Sequence, residues 1–124
     1  MNFFYKNRNL YIYIYIYIIG NSAFYNCQEL INIKIPDSVL TLGDYVFADC
    51  DSLERGTIGR GITTLGQHLV QYCYNLETVR IGRNVHTLNS TFDNCEIQNL
   101  IIRSSITTIH DGTFHYFETI EYII

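Results

Sequence analysis

The chain has 124 residues, 48% hydrophobic, 15% aromatic and only 16% charged, a single domain's worth of sequence that is too apolar for a disordered tail. Eight Lys and Arg against twelve Asp and Glu give a net charge of −4, which speaks against a nucleic-acid surface, since neutralising phosphates takes a basic excess. Nineteen Ile and eleven Tyr with no Trp are the β-branched and aromatic residues that favour strands.

Residues 1–18 form a low-complexity segment. From Tyr11 to Ile19 the chain reads Tyr-Ile-Tyr-Ile-Tyr-Ile-Tyr-Ile-Ile, behind Lys6 and Arg8. A membrane-spanning helix needs about 20 apolar residues, twice this run. A secretory signal also starts basic and ends near a small residue such as Ala23, but four tyrosines make a poor apolar helix. Alternation of period two describes a strand with Ile on one face and Tyr on the other. Alternating TA dinucleotides read in triplets also encode Tyr-Ile, so DNA composition is a second origin for the tract beside selection.

Residues 19–124 repeat. Cys27, Cys50 and Cys73 are 23 residues apart, Cys95 follows after 22, and Phe117 takes the same place 22 later. Phe24, Phe47, Val70, Phe92 and Phe114 precede that column by three and are expected on one inner wall. Ile19, Leu42, Leu65, Leu88 and Ile109 are followed by Gly20, Gly43, Gly66, Asn89 and His110, a column rich in the residues that tolerate positive φ. After each Cys come Leu30, Ile33, Ile35; Leu53, Gly56, Ile58; Leu76, Val79, Ile81; and, one residue shorter, Ile97, Leu100, Ile102. Val39 and Leu42, Ile62 and Leu65, Val85 and Leu88, and Ile106 and Ile109 close the copies. Shifting back one period lands on Leu10, Ile12, Ile16 and Ile19, so the Tyr-Ile segment reads best as a degenerate opening copy.

A segment of 23 residues cannot bury such a face alone, but stacked copies about 4.8 Å apart share one core. The expectation is a β-rich repeat solenoid: a parallel sheet of about five copies, roughly 25 Å long, with the fifth copy, at Ile120, Ile123 and Ile124, truncated.

Leu76-x-x-Val79-x-Ile81-x-x-Asn84 has the leucine-rich-repeat strand pattern. The stretch Ala23-Phe24-x-x-Cys27-x-x-Leu30-x-x-Ile33-x-Ile35-Pro36-x-Ser38-Val39-x-x-Leu42-Gly43 closely resembles the BspA-like, or treponemal, leucine-rich repeats over about residues 19 to 124. That resemblance implies a concave-side strand, a return segment and a short helical turn carrying Phe and Cys in each copy. It also implies a surface or secreted protein that engages host proteins, other cells or matrix. Departures are Leu69-Val70 for Ala-Phe, Gly56 in a strand core position, Phe117 for Cys and the residue lost before Cys95. They predict the poorest packing in the fourth copy.

Cysteines 23 apart match neither a zinc-finger spacing nor a disulfide framework. Their parallel Cβ vectors keep them beyond the usual 3.8 Å of a disulfide, and a buried thiol ladder is expected. His68, His86, His110 and His115 occupy different columns, so no metal or cofactor site is expected from them. Gly59-Arg60-Gly61 and Gly82-Arg83 look phosphate-friendly but match no nucleotide fingerprint and read as turns. Asn89-Ser90-Thr91 is the one N-glycosylation triplet. No nucleophile, His and carboxylate lie together as catalysis would need.

A solenoid commonly binds on its concave sheet. The outward strand columns are Asn32, Arg55, Thr78, Asn99 and Tyr122, and Lys34, Thr57, Arg80 and Ile101. Cross-strand pairing of Lys34, Arg55 and Arg80 with Glu29, Glu54 and Glu77 is the plain expectation for these charges, and a protein-binding strip the functional one. The function expected is a non-catalytic binding or adhesion module without nucleic acid or membrane span. The alternative is a truncated fragment of a longer repeat protein, whose uncapped C-terminal edge would pair edge to edge.

Overall fold

A computed structural model describes residues 3–6, 9–12, 15–95, 97, 99–102 and 106–114. His115, Phe117, Tyr122 and the expected last strand at Ile120, Ile123 and Ile124 lie outside the described residues.

Ten short strands follow one another: β1 (Phe3–Lys6), β2 (Asn9–Ile12), β3 (Ile18–Ile19), β4 (Asn32–Ile35), β5 (Thr41–Leu42), β6 (Arg55–Ile58), β7 (Thr78–Ile81), β8 (Thr87–Leu88), β9 (Asn99–Ile102) and β10 (Thr108–Ile109). The main sheet has the order β1-β2-β4-β6-β7-β9. From β2 to β9 every neighbour is parallel, and the partners are repeat equivalents: Leu10 with Ile33, Ile33 with Gly56, Gly56 with Val79, Val79 with Leu100. β1 pairs antiparallel with β2 and ends the parallel ladder. A second set of short parallel pairings joins β3 to β5 and β8 to β10, with a single bridge from Thr64 to Thr87.

Inside lie the columns that the spacing marks. Ile33, Val79 and Leu100 are buried, as are Ile35, Ile58, Ile81 and Ile102, and Leu30, Leu53, Leu76 and Ile97. In the opening copy Leu10, Ile16 and Ile19 are buried and Ile12 packs against the core. The Tyr-Ile alternation loses its phase at Ile18, which is exposed, because Ile19 occupies the place of Leu42. In the fifth copy Ile106 is half-buried and Ile109 exposed; among the described residues that copy has a neighbour on one side only.

In the first three copies the Phe-Cys segments are not helical turns. In residues 20–27 the amides of Ala23, Tyr25 and Cys27 close i→i−3 turns onto Gly20, Ser22 and Phe24, while those of Ser22, Phe24 and Asn26 donate to the next copy at Asp44, Val46 and Ala48. Half of the amides are therefore unavailable to a helix. Positive φ recurs at two places in each of the first three turns: Ser22 and Asn26, Tyr45 and Asp49, His68 and Tyr72. In the fourth copy the chain from Asn89 to Phe92 is one residue shorter than Gly66 to Val70. There the segment tightens into the one 3-10 turn among the described residues, Ser90–Phe92.

The glycine column therefore has another cause than positive φ, which among the glycines only Gly112 shows. A Cβ on Gly66 would lie 1.9 Å from the Gly43 carbonyl oxygen, and one on Gly43 would lie 2.6 Å from the Asn21 backbone nitrogen. Stacked backbones approach too closely there for a side chain.

Phe24 stacks on Phe47 with centroids 5.6 Å apart, and Phe92 on Phe114 at 6.1 Å. Val70 breaks the column between these pairs. Beside it, Gly56 puts no side chain at its inward position of β6, and the two deficits share a cavity of about 10 Å³ lined also by Ile33, Leu69 and Val79. The packing fault thus lies at the second and third copies. Phe92, Cys95, Ile97 and Leu100 of the fourth copy are at most 1% exposed.

Candidate binding face

The alternation that buries Ile33 and Ile35 turns Asn32 and Lys34 outward, and parallel register repeats this in each copy. Asn32, Arg55, Thr78 and Asn99 are successive partners in one column; Lys34, Thr57, Arg80 and Ile101 form the next. Lys34, Arg55 and Arg80 are exposed, and the other five are half-buried. All eight expected residues therefore share one outward face. Asn9 precedes Asn32 in register and extends the first column. Asn32 Nδ2 donates to Asn9 Oδ1 at 2.8 Å, and Arg55 Nη1 lies 3.5 Å from Asn32 Oδ1.

Cross-strand ion pairing does not organise this face. Arg55 pairs at 3.4 Å with Glu54, its neighbour in sequence, in an exposed bridge of little energetic weight. Lys34 and Arg80 have no ion-pair partner among the described residues. Glu77 precedes Arg80 by three residues along an extended strand, roughly 10 Å. Glu54 and Glu77 thus lie at the strand starts, and Lys34 and Arg80 toward the strand ends.

Where the strands end, each chain turns through residues 36–38, 59–61 and 82–84. Arg60 is held by Asp37: its amide donates to Oδ1 at 2.8 Å, Nε to Oδ2 at 3.0 Å, and Nη2 lies 2.9 Å from Oδ2. Hydrogen bonds from the Arg60 amide and guanidinium, with the charges of Arg60 and Lys34, hold the Asp37 carboxyl below its ordinary range. The Arg60-Gly61 and Gly82-Arg83 segments are turns, as their place in the repeat requires.

The four cysteines are free thiols. Cys50 Sγ donates to the Phe24 carbonyl at 3.3 Å and Cys73 Sγ to that of Phe47 at 3.0 Å, each tying one copy to the preceding one. In the shortened fourth copy Cys95 Sγ turns instead to Phe92 of its own copy at 3.0 Å. Burial pushes the Cys50 thiol up to about 12 and raises Cys27, Cys73 and Cys95 as well. Such thiols pack and tie copies together; they are poor nucleophiles.

One polar cluster crosses the repeat columns. His68 Nδ1 lies 2.8 Å from Asp93 Oδ2, which also accepts a bond from Gln71 Nε2 at 3.0 Å, and the imidazole stacks on Tyr45 at 4.9 Å. Asp93 Oδ1 is buried without a partner among the described residues. His68 and Asp93 meet because the fourth copy lacks the residue that would stack on His68. No hydroxyl or thiol among the described residues bonds the other imidazole nitrogen, so the pair spans a break in the repeat without a nucleophile to activate. Asn89 is half-buried, while His86 and His110 are exposed. Among the described residues no three His, Cys, Asp or Glu side chains converge as metal ligands, and no helix is long and apolar enough to cross a membrane.

Residues 1–121 match the family described as BspA type leucine rich repeat region, in six copies. A leucine-rich repeat protein from Bacteroides ovatus ATCC 8483 is similar in structure, with a TM-score of 0.74 at 20% sequence identity, over 98% of this chain and 39% of that one. No curated protein matches the chain. The first finding accommodates the opening copy before Ile19 together with five later ones, and the second supports the architecture alone.

Proposed function

Because the chain belongs to the BspA-type leucine-rich-repeat family, we propose that it is a non-catalytic binding or adhesion module that engages a protein partner on the outward face of β4, β6, β7 and β9. The observation that carries this reading is the pair of in-register columns, Asn32, Arg55, Thr78, Asn99 and Lys34, Thr57, Arg80, Ile101. They put hydroxyl, amide and cationic groups at strand spacing on a rigid sheet, with Lys34 and Arg80 in no ion pair among the described residues. A core packed from behind fixes the backbone of this array, so little ordering entropy is lost on binding. A cell-surface or secreted setting, where such modules meet matrix or other cells, fits the family.

The test is a titration of fluorescently labelled chain over immobilised purified matrix proteins and intact cells. Saturable binding that excess unlabelled chain displaces is the expected result. Binding that is linear and not displaced on every surface would overturn the proposal.

A further inference from the structure

Beyond the pair of Arg60 with Asp37, the strand ends carry cations that no acid among the described residues pairs with. Arg80, the last outward residue of β7, and Arg83, in the turn that follows, are both exposed, and neither has an ion-pair or hydrogen-bond partner among the described residues. They line an open cleft of about 180 Å³ with Thr57, Arg60 and Gly82. Lys34 and Arg60 continue the lining into a neighbouring cleft of about 490 Å³. In a chain of net charge −4 this concentration of unpaired positive charge is local, and the acid within it, Asp37, is committed to Arg60.

Stacking keeps the cleft open. A Cβ on Gly82 would lie 2.4 Å from the Gly59 carbonyl oxygen, and one on Gly59 would lie 2.6 Å from that of Ile35. Close approach of successive turns therefore excludes a side chain at Gly82, between the inward Ile81 and Arg83. The floor is aliphatic, from Ile58 and Ile81, and among the described residues no aromatic ring lines either cleft. A nucleobase, which binds by stacking on aromatic rings, has no platform here, and neither has a sugar ring. A carboxylate does not need one: two guanidinium groups offer the flat, forked donor geometry that it accepts.

We propose that the cleft at the ends of β6 and β7 is an acidic-peptide site, in which Arg80 and Arg83 clamp the carboxylates of an extended Asp- or Glu-rich segment of the protein partner. This rests on the binding reading above and specifies the chemistry of that partner. Thr57 supplies a hydroxyl beside the clamp, Arg60 is already neutralised by Asp37, and Lys34 extends the positive field along the face.

A fluorescein-labelled peptide of six glutamates, followed by anisotropy at about 20 mM salt, where screening is weak, is the probe. Saturable binding is expected, weakened at least about tenfold in Arg80→Gln/Arg83→Gln and changed less than about twofold in Leu40→Gln, at an exposed position away from the outward face. Circular dichroism and the melting transition of each variant are compared with the parent, and Arg83→Gln alone replaces the double variant if that does not fold. Equal affinity of parent and double variant for the peptide would overturn the proposal. So would tighter binding of a heparin oligosaccharide with the same arginine dependence, which would make the site one for sulfated glycan. A chain that fails to bind the glutamate peptide but still binds matrix or cells saturably overturns this inference and leaves the binding reading standing.

Discussion

Gly20 and Gly66 share a repeat column but not an environment, and the same substitution at both separates two explanations of that column. In Gly66→Ala the new methyl carbon would start 1.9 Å from the Gly43 carbonyl oxygen and 2.5 Å from its carbon. Moving it out to about 3.3 Å, a close C···O contact, requires the two copies to part locally by about 1.4 Å. Bonds that cross this seam, Tyr45 N–H to Gln67 O at 3.0 Å and Gln67 N–H to Asp44 Oδ1 at 2.8 Å, cannot survive such a displacement. Two lost hydrogen bonds at about 1 kcal/mol each, with about 1–3 kcal/mol of overpacking, predict a loss of about 3–5 kcal/mol. Nothing lies within 4 Å of a Cβ on Gly20, whose φ is not positive; Gly20→Ala should stabilise by about 0.4–1 kcal/mol through the unfolded chain. Urea unfolding followed by far-UV circular dichroism measures both. Similar losses at the two sites would refute the stacking argument and restore a conformational one.

Three further outcomes follow from the packing and the thiols. Gly56→Ala should stabilise by about 0.5–1 kcal/mol, since its methyl meets Ile33 at 3.2 Å beside a cavity into which Ile33 can move; a loss above about 1 kcal/mol in urea unfolding would show that the cavity does not yield. Phe47→Ala, in the fully buried stacked column, should cost about 3–5 kcal/mol, whereas Arg80→Ala should stay within about 0.5 kcal/mol; equal effects would contradict the assigned faces. The Cys50 thiol, raised from 9.0 to about 12, keeps its proton when folded and loses it when unfolded. Stability should therefore be unaffected by this group below about pH 9 and fall as pH rises from there toward 12, and Cys50→Ala should flatten that slope; an unchanged slope would show that the thiol does not contribute.

The inward columns are legible in the sequence because burial depends on spacing alone. A shift of one period is enough to place Leu10 and Ile19 under Ile33 and Leu42. The repeat spacing does not reveal β1, although the chain carries a separate signal for it: strand-forming residues flank a two-residue gap that begins with Asn7. The glycine column is legible in position but not in cause, since how closely two backbones approach is set by stacking and not by the local chain. Positive φ falls instead on Asn26, Asp49, His68 and Asn94, types that tolerate it, and on Ser22, Tyr45 and Tyr72, which local preference would not choose. The helical turns expected from family resemblance give way to amides divided between their own copy and the next.

At the candidate site, the outward columns and Arg80 are visible from alternation, and Asn9 follows from shifting one period back from Asn32. That Lys34 and Arg80 form no ion pair among the described residues is not, because it depends on how far along the extended strands the acids lie. His68 and Asp93 are 25 residues apart, close to one period but joined only through the missing residue of the fourth copy. The Arg80 and Arg83 cleft combines a strand position with a turn position, and has Gly82 between them stacked on Gly59 of the preceding copy.

The most direct test of the central claim, that binding belongs to the outward face of the sheet, is to compare Thr57→Trp with Leu40→Trp in the saturable binding assay on matrix proteins and cells. Thr57 is half-buried in the middle of the outward columns, and Leu40 is exposed away from them, so the same bulk is added on and off the face. The account predicts that Thr57→Trp weakens binding at least about tenfold and that Leu40→Trp changes it less than about twofold. Equal affinities for the two, or the larger loss at Leu40, would contradict it.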